Sequence, residues 1–413
     1  MKAIVTLFVV ITLAGCGGES TSQSTFGHCA LGPVVAFATE PAEVPGTPGE
    51  PFQPALVTPS GIRPIGTVSL HLVDEQRQDE WIASHPKREL MISLWYPALD
   101  VAGKPLAAYM PPAVWDLNQQ ADGVPPGLIE APATHAYEGA SVDNRHGALP
   151  LILYSPGGAS GRAVNTMVVE ELASRGYIVA TIDHTYDAVA VEFPGGRIEQ
   201  RSLPDRPEDY APIIEVRAQD ARFVLDALTL LQSGVNPDAE KRVLPANLIG
   251  VFDLERVGMF GASLGGSTTM TAMLLDPRIN VGLSLDSQPY GSVIQQGLDR
   301  PFMMINAKAN RALLPTLETF WMNLRNWRLE MRMSGAGHVA YSDYAMTAPQ
   351  MAPVLGRPPE DVADILGTVN PVRAATVQRA YPLAFFDRSL RGADCNALLD
   401  GPSSLFPEVV FER

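Results

Sequence analysis

Val257-Gly258-Met259-Phe260-Gly261-Ala262-Ser263-Leu264-Gly265 is the stretch that decides the fold: an apolar run of strand character, a serine at G-x-S-x-G spacing, and a helix-forming stretch behind it. A serine hydroxyl is a weak nucleophile. It has to stand clear of a sheet edge, where an imidazole reaches its proton and backbone N–H groups face the oxyanion that forms. Small residues on either side permit the sharp, strained turn this requires. In a chain with 35 glycines the pentapeptide alone is a weak sign, and the strand before it and the helix after it give it weight.

On the α/β-hydrolase plan the groups run Ser, acid, His along the chain, each at the C-terminal end of a strand. His28, His71, His85, His135, His146 and His184 all precede Ser263, which leaves His338 as the base. It follows the strand-like Leu329-Glu330-Met331-Arg332-Met333 and then Ser334-Gly335-Ala336-Gly337, a loop expected to swing the ring over the elbow. Of the carboxylates between them, Asp276 and Asp299 fall at the wrong end of the sheet. Glu318 sits in a helical stretch and Glu330 within a strand. Asp286 ends the apolar run Val281-Gly282-Leu283-Ser284-Leu285 and is the expected acid. The oxyanion needs two backbone donors: Leu264, the residue after the nucleophile, and Gly158 in the loop Ser155-Pro156-Gly157-Gly158-Ala159-Ser160-Gly161 that follows the strand-like Leu149-Pro150-Leu151-Ile152-Leu153-Tyr154.

The rest of the chain alternates in kind. Residues 163–175 have helical periodicity, Tyr177-Ile178-Val179-Ala180-Thr181-Ile182-Asp183 reads as a strand, and Ile213, Val216, Phe223, Val224, Ala227, Leu230 and Leu231 mark a long amphipathic helix. Gly66-Thr67-Val68-Ser69-Leu70-His71-Leu72 and Leu90-Met91-Ile92-Ser93-Leu94-Trp95-Tyr96 open the sheet, the second stopped by Pro97. The pattern gives an α/β fold with a mostly parallel central sheet and helices on both faces. Residues 101–147 form an irregular, proline-punctuated insertion before the oxyanion-loop strand. Its Tyr109, Met110, Trp115, Leu128, Ile129 and Tyr137 suit either a lid over an acyl pocket or simple packing onto the body.

Leu94-Trp95-Tyr96-Pro97, Tyr154-Ser155-Pro156-Gly157-Gly158, Gly261-Ala262-Ser263-Leu264-Gly265-Gly266, Leu285-Asp286 and Gly337-His338, in this order, resemble the platelet-activating-factor acetylhydrolase family of lipoprotein-associated phospholipases A2 and their bacterial relatives, over roughly Gly66 to Leu399. The acid one strand after the serine is similar to that family. The resemblance implies an α/β-hydrolase fold and hydrolysis of short or oxidised acyl chains on phospholipids. It also implies Ser263 as nucleophile, Asp286 as orienting acid, His338 as base, and the amides of Gly158 and Leu264 as oxyanion hole. The chain departs from it at Pro156-Gly157, where members often carry His-Gly, and at Gly158, where they often carry a larger residue.

At 413 residues and 46% hydrophobic content the chain suffices for one large α/β domain, expected over 65–413. A net charge of −15 argues against nucleic acid and against purely electrostatic adsorption to anionic lipid. Met1-Lys2, the apolar core up to Leu13 and Leu13-Ala14-Gly15-Cys16 resemble a bacterial lipoprotein signal. Cleavage after residue 15 and acylation of Cys16 would tether an exported enzyme to a face of the cell envelope. Residues 16–64, rich in Gly, Ser, Thr and Pro, read as a spacer. Cys29 and Cys395 are left for a disulfide that spacing does not establish, and no Cys and His cluster has metal-ligand spacing, so no metal and no other cofactor is expected. Three functional classes stand: a phospholipase-A2-like ester hydrolase, a broader lipase or polyesterase with the same triad, and an inert lipid-anchored binding protein.

Overall fold

The computed structural model of the chain describes residues 51–412 apart from 86, 204–205, 308–310 and 394–397. The chain opens with β1 (Ile65–Asp74) and β2 (Arg88–Asp100), then forms β3 (Leu106–Ala108), α1 (Pro112–Ala121), β4 (Ala133–Glu138) and β5 (Ser141–Val142). There follow β6 (Leu149–Ser155), α2 (Thr166–Ser174), β7 (Ile178–Asp183), the hairpin of β8 (Ala190–Phe193) and β9 (Arg197–Gln200), and α3 (Tyr210–Gln232). Next come β10 (Phe252–Ala262), α4 (Leu264–Leu275), β11 (Val281–Leu285), α5 (Val293–Gln296), β12 (Phe302–Asn306), α6 (Pro315–Met322) and β13 (Arg328–Met333). A single turn at His338–Tyr341 leads to α7 (Tyr344–Val354), α8 (Pro359–Leu366), α9 (Pro371–Arg391) and β14 (Val409–Glu412).

The main sheet runs β14-β13-β12-β11-β10-β6-β7-β2-β1-β4-β3, with β5 on β2. From β13 to β7 all neighbours are parallel, and β14 and β2 flank them antiparallel. The chain leaves β6 for β7 on one side and later returns as β10 on the other. Connections from β6 and β10 therefore diverge and leave a crevice at their C-terminal ends, the usual place for a ligand in an open α/β sheet.

Side chains along the central strands alternate between two cores. Ile152, Tyr154, Phe260, Leu283 and Ile305 pack toward α2 and α9. Leu151, Leu153, Met259, Phe302 and Met304 pack toward α3, α4 and α6. Burial on both faces is why these strands read as continuous apolar runs. At α9 the Asn370 side chain accepts from Arg373 N (3.1 Å), Pro371 takes the first helical position and Gly392 closes the helix in the left-handed region.

Four expectations change. β2 continues through Pro97 to Asp100, because pairing with β7 ends at Trp95 and the opposite side is carried on by Ala98 N donating to Pro64 O (2.8 Å). The insertion is not irregular: β4 pairs with β1, β3 with β4, and α1 packs toward β8, with Trp115 Nε1 donating to Ile129 O (3.0 Å). Tyr109 is 8% exposed and its hydroxyl donates to Asp343 Oδ2 (2.9 Å), so the insertion is a fixed wall rather than a detachable flap. Residues 51–64, expected as the end of a spacer, are fastened to the body at several points. Leu56 is buried, Phe52 and Ala55 bridge Ile129 and Ala133, and the Ser60 amide and hydroxyl both donate to Glu171.

The fourth change concerns the loop before His338, which is clasped rather than free to swing. Gly337 N donates to Leu366 O (2.7 Å), and Thr368 N and Val369 N donate to Gly335 O (2.7 and 3.1 Å). A Cβ on Gly337 would lie 2.5 Å from Ile365 O, so only glycine permits the approach. Gly337→Ala is expected to lower stability by about 1–3 kcal/mol through forced backbone displacement, read as a drop in urea midpoint at unchanged slope; an unshifted midpoint would show the clasp to be slack.

Candidate active site

At the end of β10 the backbone of Ser263 is driven to φ 53°, ψ −125°. An L-residue there costs about 1–3 kcal/mol and persists only where its surroundings over-determine it. Ser263 N donates to Leu285 O on the adjacent strand (2.9 Å), and its carbonyl accepts from Gly266 N (3.0 Å). Two residues on, a Cβ at Gly265 would lie 1.9 Å from Ser155 O at the end of β6. The turn is thus wedged between β6 and β11, and no side chain fits at Gly265.

Asp286 follows Leu285 directly and also carries a positive φ, 46°. Its amide donates to Ile305 O (2.8 Å), Oδ1 accepts from Ala307 N (2.7 Å), and Oδ2 meets His338 Nδ1 at 2.5 Å. Both carboxylate oxygens are aimed, and the side chain is 10% exposed against 56% for His338. With Nδ1–H committed to the carboxylate, Nε2 carries the lone pair. The bond to Asp286 raises the His338 pKa above the ordinary histidine range, with burial opposing and the Asp286 charge adding.

The loop after β6 lies over the elbow. A Cβ on Gly157 would be 3.6 Å from Ser263 Cβ, and one on Gly158 3.7 Å from Leu264 Cδ2. The two expected donor residues are therefore neighbours. Gly158 is bracketed by a buried ion pair that the sequence did not reveal. Arg217 donates to Pro156 O on one side and, through Nη1, to Asp187 Oδ2 (2.9 Å), while Asp187 Oδ1 accepts from Ala159 N on the other side (3.2 Å). Arg217 sits within an amphipathic helix, where a charged residue reads as solvent-facing.

A second Ser, His, Asp arrangement lies beneath. His184 Nε2 meets Ser155 Oγ at 3.0 Å and Nδ1 meets Asp220 Oδ2 at 2.9 Å. All three are at most 1% exposed. Burial, then the Arg217 charge, push the His184 pKa down to about 4, so the imidazole is neutral, and the complete burial of Ser155 keeps an ester from it. This set buttresses the end of β6, with Arg88 donating to the same Asp220 carboxylate (2.7 Å). His184 stays outside the catalytic set.

A cavity of about 1100 Å³ opens beside Gly158 and beside Val339, the residue after His338. Leu117 and Ala121 of α1 form one wall and Tyr344 and Met351 of α7 another. Cys16, Cys29 and Cys395 lie outside the described residues.

The structure brings Asp286 and His338 together, while among the described residues no hydrogen bond joins Ser263 Oγ to His338. An elbow serine beside an aimed imidazole suits an ester hydrolase, and known proteins agree with that reading. Residues 127–396 match the family described as platelet-activating factor acetylhydrolase, isoform II. A probable 1-alkyl-2-acetylglycerophosphocholine esterase of Arthroderma benhamiae is 30% identical over 387 residues, 86% of this chain and 93% of that protein. The platelet-activating factor acetylhydrolase of Cavia porcellus is 24% identical over 282 residues, 63% of each chain. Among solved structures, a ferulic acid esterase from Streptomyces cinnamoneus superposes with a TM-score of 0.73 at 37% identity, covering 87% of this chain and 99% of its own. The chain belongs to the platelet-activating factor acetylhydrolase isoform II family and is a carboxylic-ester hydrolase of the α/β-hydrolase fold.

Proposed function

We propose that the enzyme releases short or oxidised acyl chains from glycerophospholipids through an acyl-enzyme on Ser263. The 2.5 Å pairing of His338 with Asp286 at the rim beside the Ser263 elbow carries the chemistry, and the names of its relatives supply the substrate class. His338 Nε2 takes the Ser263 proton as Oγ attacks the ester carbonyl. The carbonyl oxygen becomes an oxyanion facing the amides of Gly158 and Leu264, and the Arg217–Asp187 pair keeps the first of these in place. The alcohol leaves with the proton from His338, and water activated by the same nitrogen clears the acyl group. Asp286 holds the ring and stabilises the imidazolium.

A second reading, a broader esterase for aromatic or polymeric esters, is favoured by the likeness to the ferulic acid esterase. Rates on an acetylated ether phospholipid, its long-chain diacyl counterpart and methyl ferulate separate the two, with Ser263→Ala as control. The first reading expects the acetylated phospholipid to be cut fastest. Equal rates on both phospholipids, or a preference for the ferulate, would replace it with the second.

The raised His338 pKa fixes a pH signature. The base works only when Nε2 is unprotonated, so kcat/KM should climb with pH through an apparent pKa above the ordinary value of about 6.5. Asp286→Asn removes the cause, moves that limb to lower pH and costs about 10³–10⁴ in kcat by losing the required tautomer. A limb that stays in place would separate Asp286 from the base.

We also propose that the enzyme is an exported lipoprotein tethered through Cys16 to a face of a bacterial cell envelope; the lipobox-like Leu13-Ala14-Gly15-Cys16 supports this. Among the described residues no helix is long and apolar enough to cross a membrane. Metabolic labelling with palmitate should mark the wild type and not Cys16→Ser; equal labelling of both would remove the anchor.

A further inference from the structure

Arg201, directly after β9, is half-buried in the wall of the large cavity, which it shares with Gly158 and Ala159 of the loop over the elbow. Its backbone is fixed by the bond from Arg201 N to Val189 O (3.1 Å). Its guanidinium is not. Among the described residues no carboxylate or carbonyl engages it, and its Nε is buried without an acceptor. Neighbouring arginines are spoken for: Arg197 pairs with Glu199 and Glu89, Arg162 with Asp183, Arg217 with Asp187, and Arg357, in the same cavity, donates to Asp122 O. A guanidinium whose Nε is buried without an acceptor has already met part of the cost of burial. An anion entering beside it would supply the missing acceptor and gain a charge-assisted bond.

We infer that Arg201 receives the phosphate of the substrate head group. The inference rests on the phospholipid reading above. A phosphodiester lies only a few bonds from the scissile ester of a glycerophospholipid, and Arg201 shares one cavity with the residue expected to face the oxyanion. The protein carries a net charge of −15, so anion binding has to be local. The cavity is also mixed in charge. Asp361 and Asp364 of α8 line it, exposed and without an ion pair among the described residues. A wall with a guanidinium Nε that lacks an acceptor and with separate carboxylates suits a zwitterion, phosphate against Arg201 and quaternary ammonium toward α8, better than a simple anion or a neutral ester.

The test compares wild type, Arg201→Met and Arg201→Lys on an acetylated ether glycerophosphocholine and on p-nitrophenyl butyrate. Glycerophosphocholine and inorganic phosphate serve as inhibitors of the second reaction. Arg201→Met should lower the ratio of kcat/KM on the phospholipid to kcat/KM on the neutral ester by about 10–100-fold, mainly through KM, and weaken inhibition by glycerophosphocholine to a similar degree, the loss expected for one charge-assisted bond to an anion. Lysine should recover part of it, as a point charge without the planar fork. An unchanged ratio in a wild type that cuts the phospholipid overturns the assignment of Arg201 alone. A wild type that ignores both the phospholipid and glycerophosphocholine overturns the substrate reading and this inference with it. Inhibition by inorganic phosphate as strong as by glycerophosphocholine would overturn the assignment to a head group.

Discussion

The close approach of two backbones at the switch point governs this molecule. With Gly265 against the carbonyl of Ser155, the turn after β10 cannot relax outward, and Ser263 is left at a φ that its side chain disfavours. The same compression brings Ser263 N onto Leu285 O, and thereby sets the serine one residue from the carboxylate that aims the base. Asp286 repeats the device at the end of the next strand, with its own positive φ and its own backbone tie to β12. Strain in adjacent strand ends is what turns side chains from separate stretches of sequence toward one rim.

Support for that strain comes from below. Ser155, His184 and Asp220 bond in series under the loop, with Arg88 and Arg77 on the same carboxylate and Arg217 reaching from α3 to the loop itself. Buried charges at this density are stable only when each is paired, and removing one partner from such a set typically costs about 3–5 kcal/mol. The network makes the crevice floor rigid without adding any group that touches substrate. Its likeness to a catalytic triad is chemical only, since solvent and ester are both shut out.

Much of this was legible in the chain. The parallel strands announced themselves as apolar runs because both faces are covered; chain order separated His338 from six other histidines, and a place at the C-terminal end of a strand separated Asp286 from four other carboxylates. These two side chains meet at 2.5 Å. What escaped was non-local. Arg217 and Asp187 are charged residues with no local pattern, and only the fold brings them to either side of Gly158. The order within 101–147 was hidden because β3 and β4 are short strands at the end of the sheet whose partners lie far away or in the insertion itself. Residues 51–64 have a linker's composition, yet their attachment to the body runs through Glu171 and Arg379, more than 100 positions on.

The tie between Gly337 and Leu366 has a consequence for how this enzyme can diverge. One end of it adjoins the general base; the other is the last turn of α8, whose Ile365 also borders the large cavity. Pocket width and imidazole position are thus not independent variables. A lineage that widens the chamber by displacing α8 drags the proton acceptor with it, whereas the end of α1 is held to Tyr344 and Arg357, farther along the chain than the proton acceptor. New substrate ranges on this scaffold are therefore most cheaply reached from the insertion side.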